Sequence, residues 1–375
     1  MGDWRYFATT LHGDGTETLL ASDVPLTGVS ITKTLSGVDA LDASLPVEVA
    51  HLKDDNGAPI FREWSTALYA EKDGFIRAGV ILQRMTVDEG EVSLHGEGFT
   101  GYINGMPYEG DVSYIEADPM NIARHIWDHA QSFDGGNIPV VLDTTTSTVT
   151  VGVDEYEEIV EGETEVVPAE PYTLNFWSTH NLGSEFEALA EQTPFDYREH
   201  HEWIGDVIRH RIELGYPTLG AYRDDMRFAY GENVVVPLRM DFDGDDYASE
   251  VVVLGAGEGR KMIRARAQVN SRERLRRVAV IQAKDAGTKP RAASIANAEL
   301  AYRYGDGDIA SVVVRDHENA PVAAIQPGDW ILVENYGGGW GGTVFLWVRV
   351  LEISFTPEEG DTATLTVTRL ERTAL

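Results

Sequence analysis

Cysteine is missing from all 375 residues, which removes disulfides, thiolate metal sites and a cysteine nucleophile together. Basic residues are scarce: 30 lysines and arginines face 62 aspartates and glutamates, a formal charge of −32. So acidic a surface repels a phosphate backbone over most of its area. Stable nucleic-acid binding is not expected, although DNA can slide past such a wall without adhering. No uninterrupted apolar run approaches the roughly 20 residues of a membrane span. The N-terminus, Met1-Gly2-Asp3-Trp4-Arg5-Tyr6, has no apolar signal core and places Tyr6 where a myristoylation signal needs Ser or Thr. The sequence therefore predicts a soluble chain with no readable lipid signal, not routed through a secretory pathway.

Motifs of catalysis are also lacking. There is no Gly-x-Ser-x-Gly elbow, no Walker loop and no His-Glu-x-x-His. Val251–Leu254 followed by Gly255-Ala256-Gly257-Glu258-Gly259 imitates a dinucleotide fingerprint, but Arg260 stands where the third glycine belongs. Lys261–Val269 then alternates like a strand where a helix would have to start, so a hairpin turn is expected. Asp241-Phe242-Asp243-Gly244-Asp245-Asp246 opens like a calcium loop, yet Asp246 and Val252 occupy the positions that require Gly and Glu. That leaves a solvated acidic turn, or at most an irregular cation site. His200, His201, Glu202, Asp206 and His210 come nearest to a metal or acid/base cluster. On a strand His200 and His201 point to opposite faces, so only one of them can join His210. Sixty-two acids offer many carboxylate pairs, and no local sequence singles out two for glycoside hydrolysis. No catalytic residue, cofactor or metal is expected.

What is present is β-structure, stated twice. Thr66–Glu71, a turn at Lys72-Asp73-Gly74, Phe75–Val87, a turn at Asp88-Glu89-Gly90 and Glu91–Phe99 read as a three-strand meander. Trp330–Glu334, a Gly-rich loop, Thr343–Phe355, a Pro357-Glu358-Glu359-Gly360 turn and Thr362–Leu370 read as a second. Between them Asp118 and Pro119 open an amphipathic helix with its apolar stripe at Ile122, Ala123, Ile126, Trp127 and Ala130. A hairpin over Val140–Val153 and onward is expected to carry the acidic stretch Asp154–Glu170 at its tip. A second helix opens with the capping-box match Ser184–Glu187 and stops before Pro194. From Phe195 to Leu214 strands return, with Ile208, His210, Ile212 and Leu214 on one face. The fold class is α+β, β-dominated: two similar tube-like antiparallel β-barrel modules, 1–101 and 234–375, the latter with one helix, flank an α/β insert at 102–233 that bears the acidic hairpin.

Charge is segregated along the chain. Arg260–Arg291 holds 11 basic residues, Arg264, Arg266, Arg274 and Arg276 among them, against Glu273 and Asp285, so this window is +9 and the remainder −41. A positive band on an acidic molecule most simply meets an acidic surface of a sister subunit or neighbour. Asp154–Glu170 is its opposite, with eight acids and no base, including Glu157, Glu158, Glu161 and Glu163. It is expected to contact another component or to stay solvated. Trp340, alone on the glycine-rich tip Gly337–Gly342, is either idle or ordered by a partner, and a contact role is the favoured expectation.

Several segments carry a family resemblance. They are Trp4-Arg5-Tyr6 with Gly13-Asp14-Gly15, Trp64 through Leu68-Tyr69-Ala70-Glu71, and Gly98-Phe99-Thr100-Gly101-Tyr102 leading to Met106-Pro107-Tyr108. The Asp118-Pro119 helix, the Glu185–Gln192 helix, and Gly328-Asp329-Trp330 with Val348–Ile353 extend it. In these the chain resembles minor tail proteins of long-tailed phages infecting actinobacteria, in the tail-hub group related to baseplate hub proteins. The resemblance implies two tube-like modules per chain and a homotrimer that imitates a sixfold ring around a negatively lined hole. It further implies closure of the tail tube, contact with the distal tail protein ring and the tape-measure protein, anchoring of tail-tip and receptor-binding proteins, and transient passage of DNA without specific binding. A fused wall-degrading extension after Leu375 is not expected. The alternatives are a distal tail protein, which forms a hexameric ring, and a tail-associated cell-wall glycosidase.

Overall fold

The computed structural model describes residues 4–53, 57, 59–88, 90–160, 163–237, 244–245, 247–270, 274–284, 286–304, 309–335 and 344–369. The chain divides into two compact units: Met1–Ala221 with Ile325–Gly328 and Glu352–Ala363, and Tyr222–Ala324 with Asp329–Leu351 and Thr364–Leu375.

In the first unit the strands are β1 (Trp4–Leu11), β2 (Glu17–Ala21), β3 (Thr27–Thr34) and β4 (Ala40–Pro46), then the single-turn helix α1 (Val47–Ala50), then β5 (Thr66–Lys72), β6 (Phe75–Asp88) and β7 (Glu91–Glu97). After a short 3₁₀ turn at Phe99–Ile103 come β8 (Asp111–Tyr114), α2 (Pro119–Gln131), β9 (Val140–Leu142), β10 (Tyr156–Val160), β11 (Glu163–Val167), β12 (Tyr172–Asn175), α3 (Leu182–Gln192), β13 (Asp196–Ile204) and β14 (Val207–Gly215). The second unit holds β15 (Tyr222–Ala229), β16 (Glu250–Leu254), β17 (Arg264–Gln268), β18 (Val278–Gln282), α4 (Lys289–Tyr304), β19 (Ser311–Arg315) and β20 (Trp330–Asn335). It also takes most of β21 (Val344–Phe355) and β22 (Thr362–Arg369).

The fold is β-dominated α+β, as the alternation and turn chemistry imply. Both meanders form, with strands of 7, 14 and 7 residues in β5–β7 and 6, 12 and 8 in β20–β22. The first turns on Asp73 and Gly74, both at positive φ, 54° and 79°, the conformation that a two-residue hairpin loop needs and that glycine adopts freely.

The main sheet of the first unit runs β3-β4-β7-β6-β5-β1-β2, antiparallel throughout, and Glu352–Phe355 of β21 pairs with the outer side of β3. Its hydrogen-bonded path is open, so among the described residues no sheet closes into the barrel expected from sequence. The apolar face is covered by other means. Phe7, Tyr69 and Ile81 of the sheet share one core with Ile122, Ile126 and Trp127 of α2, Phe186 of α3, and Tyr197 and Ile212 of β13 and β14. A sheet whose inner face is already buried gains little by curling onto itself. Its edge strand β2 is short, which blunts further pairing.

Helix α2 starts where Asp118 accepts the Met120 amide, with Pro119 in the first turn, and all five stripe residues are buried. Two local expectations are displaced along the chain. Helix α3 begins at Leu182, capped by Asn181, whose side chain accepts from the amides of Gly183 and Ser184. The helix therefore starts before the Ser184 box, because an asparagine cap was available upstream. The expected hairpin starts late: β9 pairs in parallel with β14, and the acidic stretch forms its own hairpin, β10–β11, with Val153 bridging Glu170 at its base.

In the second unit β17-β16-β18 is a three-stranded sheet, antiparallel on one side of β16 and parallel on the other. Val251, Val253 and Ala267 pack on Ala292, Ala296 and Leu300 of α4. The connection after β16 turns through Gly257 (φ 97°) and one 3₁₀ turn at Gly259–Lys261 into β17, so no helix N-terminus follows the glycines and the dinucleotide imitation has no binding geometry.

Candidate functional site

Strands β13 and β14 place His201 opposite His210, and the two-residue period turns both inward, at 5% and 1% exposure, while His200 faces the other way, 3.9 Å from Glu202. Their Nδ1 atoms are 2.8 Å apart. His210 Nε2 lies 2.8 Å from Glu17 Oε2 on β2, and Glu17 Oε1 also accepts from the Tyr69 and Thr9 hydroxyls. On the other side His201 Nε2 faces Glu199 Oε2 at 3.3 Å. Glu199 accepts from the amides of Phe99 and Thr100 and from the Thr100 hydroxyl. Asp39, fully buried nearby, accepts the Thr34 amide, and its second oxygen lies 3.5 Å from Lys33.

Glu17 accepts from His210 Nε2–H, and one proton between the two Nδ1 atoms joins the rings. His201 Nε2 has no hydrogen-bond partner and faces Glu199 Oε2. Burial pushes the Glu199 carboxyl above the ordinary carboxylate range, although three hydrogen bonds oppose it. Burial, reinforced by the His210 ring, holds His201 well below the ordinary histidine value. Asp39 is pushed up to about 7 by burial, with Glu199 adding to the rise and Lys33 opposing it. Glu17 is held below its ordinary value: burial is the largest influence and works against this, and the hydrogen bond and charge of His210 overcome it.

The hydrogen-bonded run Glu17–His210–His201 ends at His201 Nε2, which has no hydrogen-bond partner. It cannot meet a substrate, because the side chains of His201, Glu199 and His210 are at most 2% exposed. Its role is to fasten β2 and β5 to the β13–β14 hairpin. Among the described residues no group of three or more His, Asp or Glu side chains is arranged to hold a metal ion.

The residues singled out for contacts lie apart from this cluster. Arg264 and Arg266 are exposed on β17. Arg266 and Arg276 both bind Glu250, at 2.8 and 2.7 Å, so part of the basic band is satisfied inside its own sheet. Arg274 lies over the Tyr247 ring, 4.9 Å from its centre. Glu157 and Glu158 are on β10, Glu163 on β11. Glu161, Trp340, Asp241–Asp243 and Asp246 lie outside the described residues. Sequence reasoning found His201 and His210 but missed Glu17, Asp39 and Glu199. The alternation of β13, which puts Tyr197, Glu199 and His201 on one face, was the available signal for Glu199.

Comparison with solved structures sets this architecture in context. The prophage MuSo2 43 kDa tail protein from Shewanella oneidensis matches with a TM-score of 0.61 at 14% identity, over 99% of each chain. The tail protein from Neisseria meningitidis MC58 matches at 0.58 and 13%, again over 99% of each chain. The fold is that of phage tail proteins. A third match, at 0.52 and 10%, covers 92% of this chain and 74% of the Escherichia coli c3393 protein, a component of the type VI secretion system described as structurally similar to the T4 tail proteins gp27 and gp5. These sources lend no support to the narrower resemblance to phages of actinobacteria. No protein-family model and no curated protein sequence matches the chain.

Proposed function

We propose that this chain is a structural component of a phage tail, a hub at the tail tip and not an enzyme. Three copies form a pseudo-sixfold ring that closes the tail tube, contacts the distal tail protein ring and the tape-measure protein, anchors tail-tip and receptor-binding proteins, and lets DNA pass without specific binding. The observation that carries this is end-to-end likeness to two tail proteins, 99% of each chain in both cases, which leaves no part of the fold to be explained by another activity. The doubled meander supports it, because two similar sheet modules per chain give three copies six modules. So does the acidic surface, which repels DNA over most of its area.

The mass in solution tests it. Light scattering at micromolar concentration is expected to give about 124 kDa, three times the 41.3 kDa of one chain. A clean monomer overturns the hub, and a sixfold mass points to the distal tail protein ring. Clearing of cell-wall material in a zymogram, abolished by a single Asp or Glu substitution, overturns the structural role itself.

A further inference from the structure

We propose that an aromatic and acidic face of the first unit binds the basic turn between β16 and β17 of a second copy of this chain. Phe176 and Trp177 sit at the tip of a turn in which Asn175 O accepts from the amides of Ser178 and Thr179, and the Asn175 amide donates to the Thr179 hydroxyl. Asn175 and Thr179 are buried, yet Phe176 is 62% exposed and Trp177 57%, with their rings perpendicular and 4.8 Å apart. The segment before β8 runs alongside: the Tyr108 amide donates to Thr179 O, and Gly110 O accepts from the Phe176 amide. Between them the Glu109 amide donates to His129 Nε2 on α2, and the His129 ring meets that of Phe133, 43% exposed, edge-on at 5.2 Å. The stretches that supply these groups, 107–111, 125–134 and 175–180, hold Glu109, Asp111, Asp128 and Asp134, all exposed, and no lysine or arginine. Burial and the neighbouring His125 hold His129 below the ordinary histidine value, so its ring adds no positive charge near neutral pH.

Rings this exposed on a turn already fixed by hydrogen bonds bind a partner with little further ordering cost. Aromatic faces with carboxylates beside them suit a guanidinium or ammonium, which stacks on the ring while its hydrogens reach the acid. The second unit supplies such groups. Its β16–β17 turn is closed by the Gly255 amide donating to Ile263 O at 2.7 Å and the Ile263 amide donating to Ala256 O at 2.8 Å. Arg260, Lys261 and Arg264 are exposed on and beside this turn, against Glu258 alone. Arg266 and Arg276, by contrast, are held by Glu250 within the sheet. A phosphate backbone is repelled by the four acids, and a neutral sugar would stack on the rings but leave the acids without counter-charge. A face in one unit and a turn in the other make a heterologous contact between copies, the kind that closes a ring. The inference rests on the ring proposed above but leaves the number of copies free.

Light scattering on paired variants tests it. The face variant carries Phe176→Ala and Trp177→Ala, which remove the rings without changing charge; the turn variant carries Arg260→Gln and Arg264→Gln. Each is expected to weaken self-association by about tenfold or more. An equimolar mixture of the two is expected to associate more tightly than either alone, because the intact turn of one meets the intact face of the other. All four positions are exposed, and circular dichroism separates misfolding from dissociation. A second face variant, Glu109→Lys with Asp134→Lys, spares the Asn175–Thr179 turn and is expected to show the same loss. A wild type that assembles with a mass indifferent to the face and turn variants overturns the inference and leaves the ring standing, whereas a monomeric wild type removes both. Dissociation by only one of the two variants overturns it as well. Retention on immobilised dextran that the face variant loses assigns the face to a sugar and does the same.

Discussion

At the scale of single residues, the buried acids and histidines act on stability with opposite signs. The Asp39 carboxyl, pushed up to about 7 by burial, holds a proton in the folded chain that the unfolded chain releases near the ordinary value of about 3.9. Its contribution to stability is therefore greatest below the unfolded pKa and falls as pH rises toward 7, by at most about 1.4 kcal/mol per pH unit. His201 runs the other way. Its folded value is well below the ordinary one, so the unfolded ring takes up a proton below about 6.5 that the folded ring refuses, and stability falls as pH drops. The two oppose each other in mild acid, and substitution separates them. The variant Asp39→Asn keeps an oxygen for the Thr34 amide and loses the titration. Urea midpoints between pH 5 and 7 are expected to show the asparagine variant gaining on the wild type by about 1 kcal/mol per pH unit as pH rises. A difference that stays flat across this range means Asp39 does not carry the proton.

At the scale of elements, caps and turns decide where the chain folds and how far it can be read. Asp118 both caps α2 at the Met120 amide and accepts from the amide and hydroxyl of Ser147 in the following loop. Replacing it by alanine is expected to cost about 2 kcal/mol, the upper end for a cap, and chemical denaturation measures it. A loss below about 0.5 kcal/mol means the helix is held by its buried stripe alone. This helix was legible because cap, proline and stripe coincide within a dozen residues. Both meanders were legible for the same reason, since strand period and turn chemistry are local. Helix α3 was found but started late, because Asn181 and Ser184 are both good caps and only the tertiary setting chose between them. The parallel pairing of β9 with β14 was not legible, as no local pattern records a partner some 70 residues away. The site divides along the same line. The His201–His210 pair follows from one hairpin register and Glu199 from the alternation of the same strand, whereas Glu17 on β2 and Asp39 in the loop before β4 reach it only through the fold.

At the scale of the whole molecule, assembly sets a strong net repulsion against a few specific attractions. Each copy carries −32, so bringing copies together opposes like charges over their full surfaces. The proposed contact sets a handful of carboxylates against Arg260, Lys261 and Arg264 at short range. Salt separates the two effects by distance. The screening length falls from about 30 Å at 0.01 M salt to about 8 Å at 0.15 M, which removes most of the diffuse repulsion between exposed charges but screens partly buried pairs in contact much less. Burial of Phe176 and Trp177 is indifferent to moderate salt. Self-association measured by sedimentation is therefore expected to strengthen between about 0.01 and 0.15 M salt, although the contact itself is electrostatic. If association instead weakens steadily across that range, the attraction comes from exposed, fully screened ion pairs. The aromatic pair then adds nothing to it.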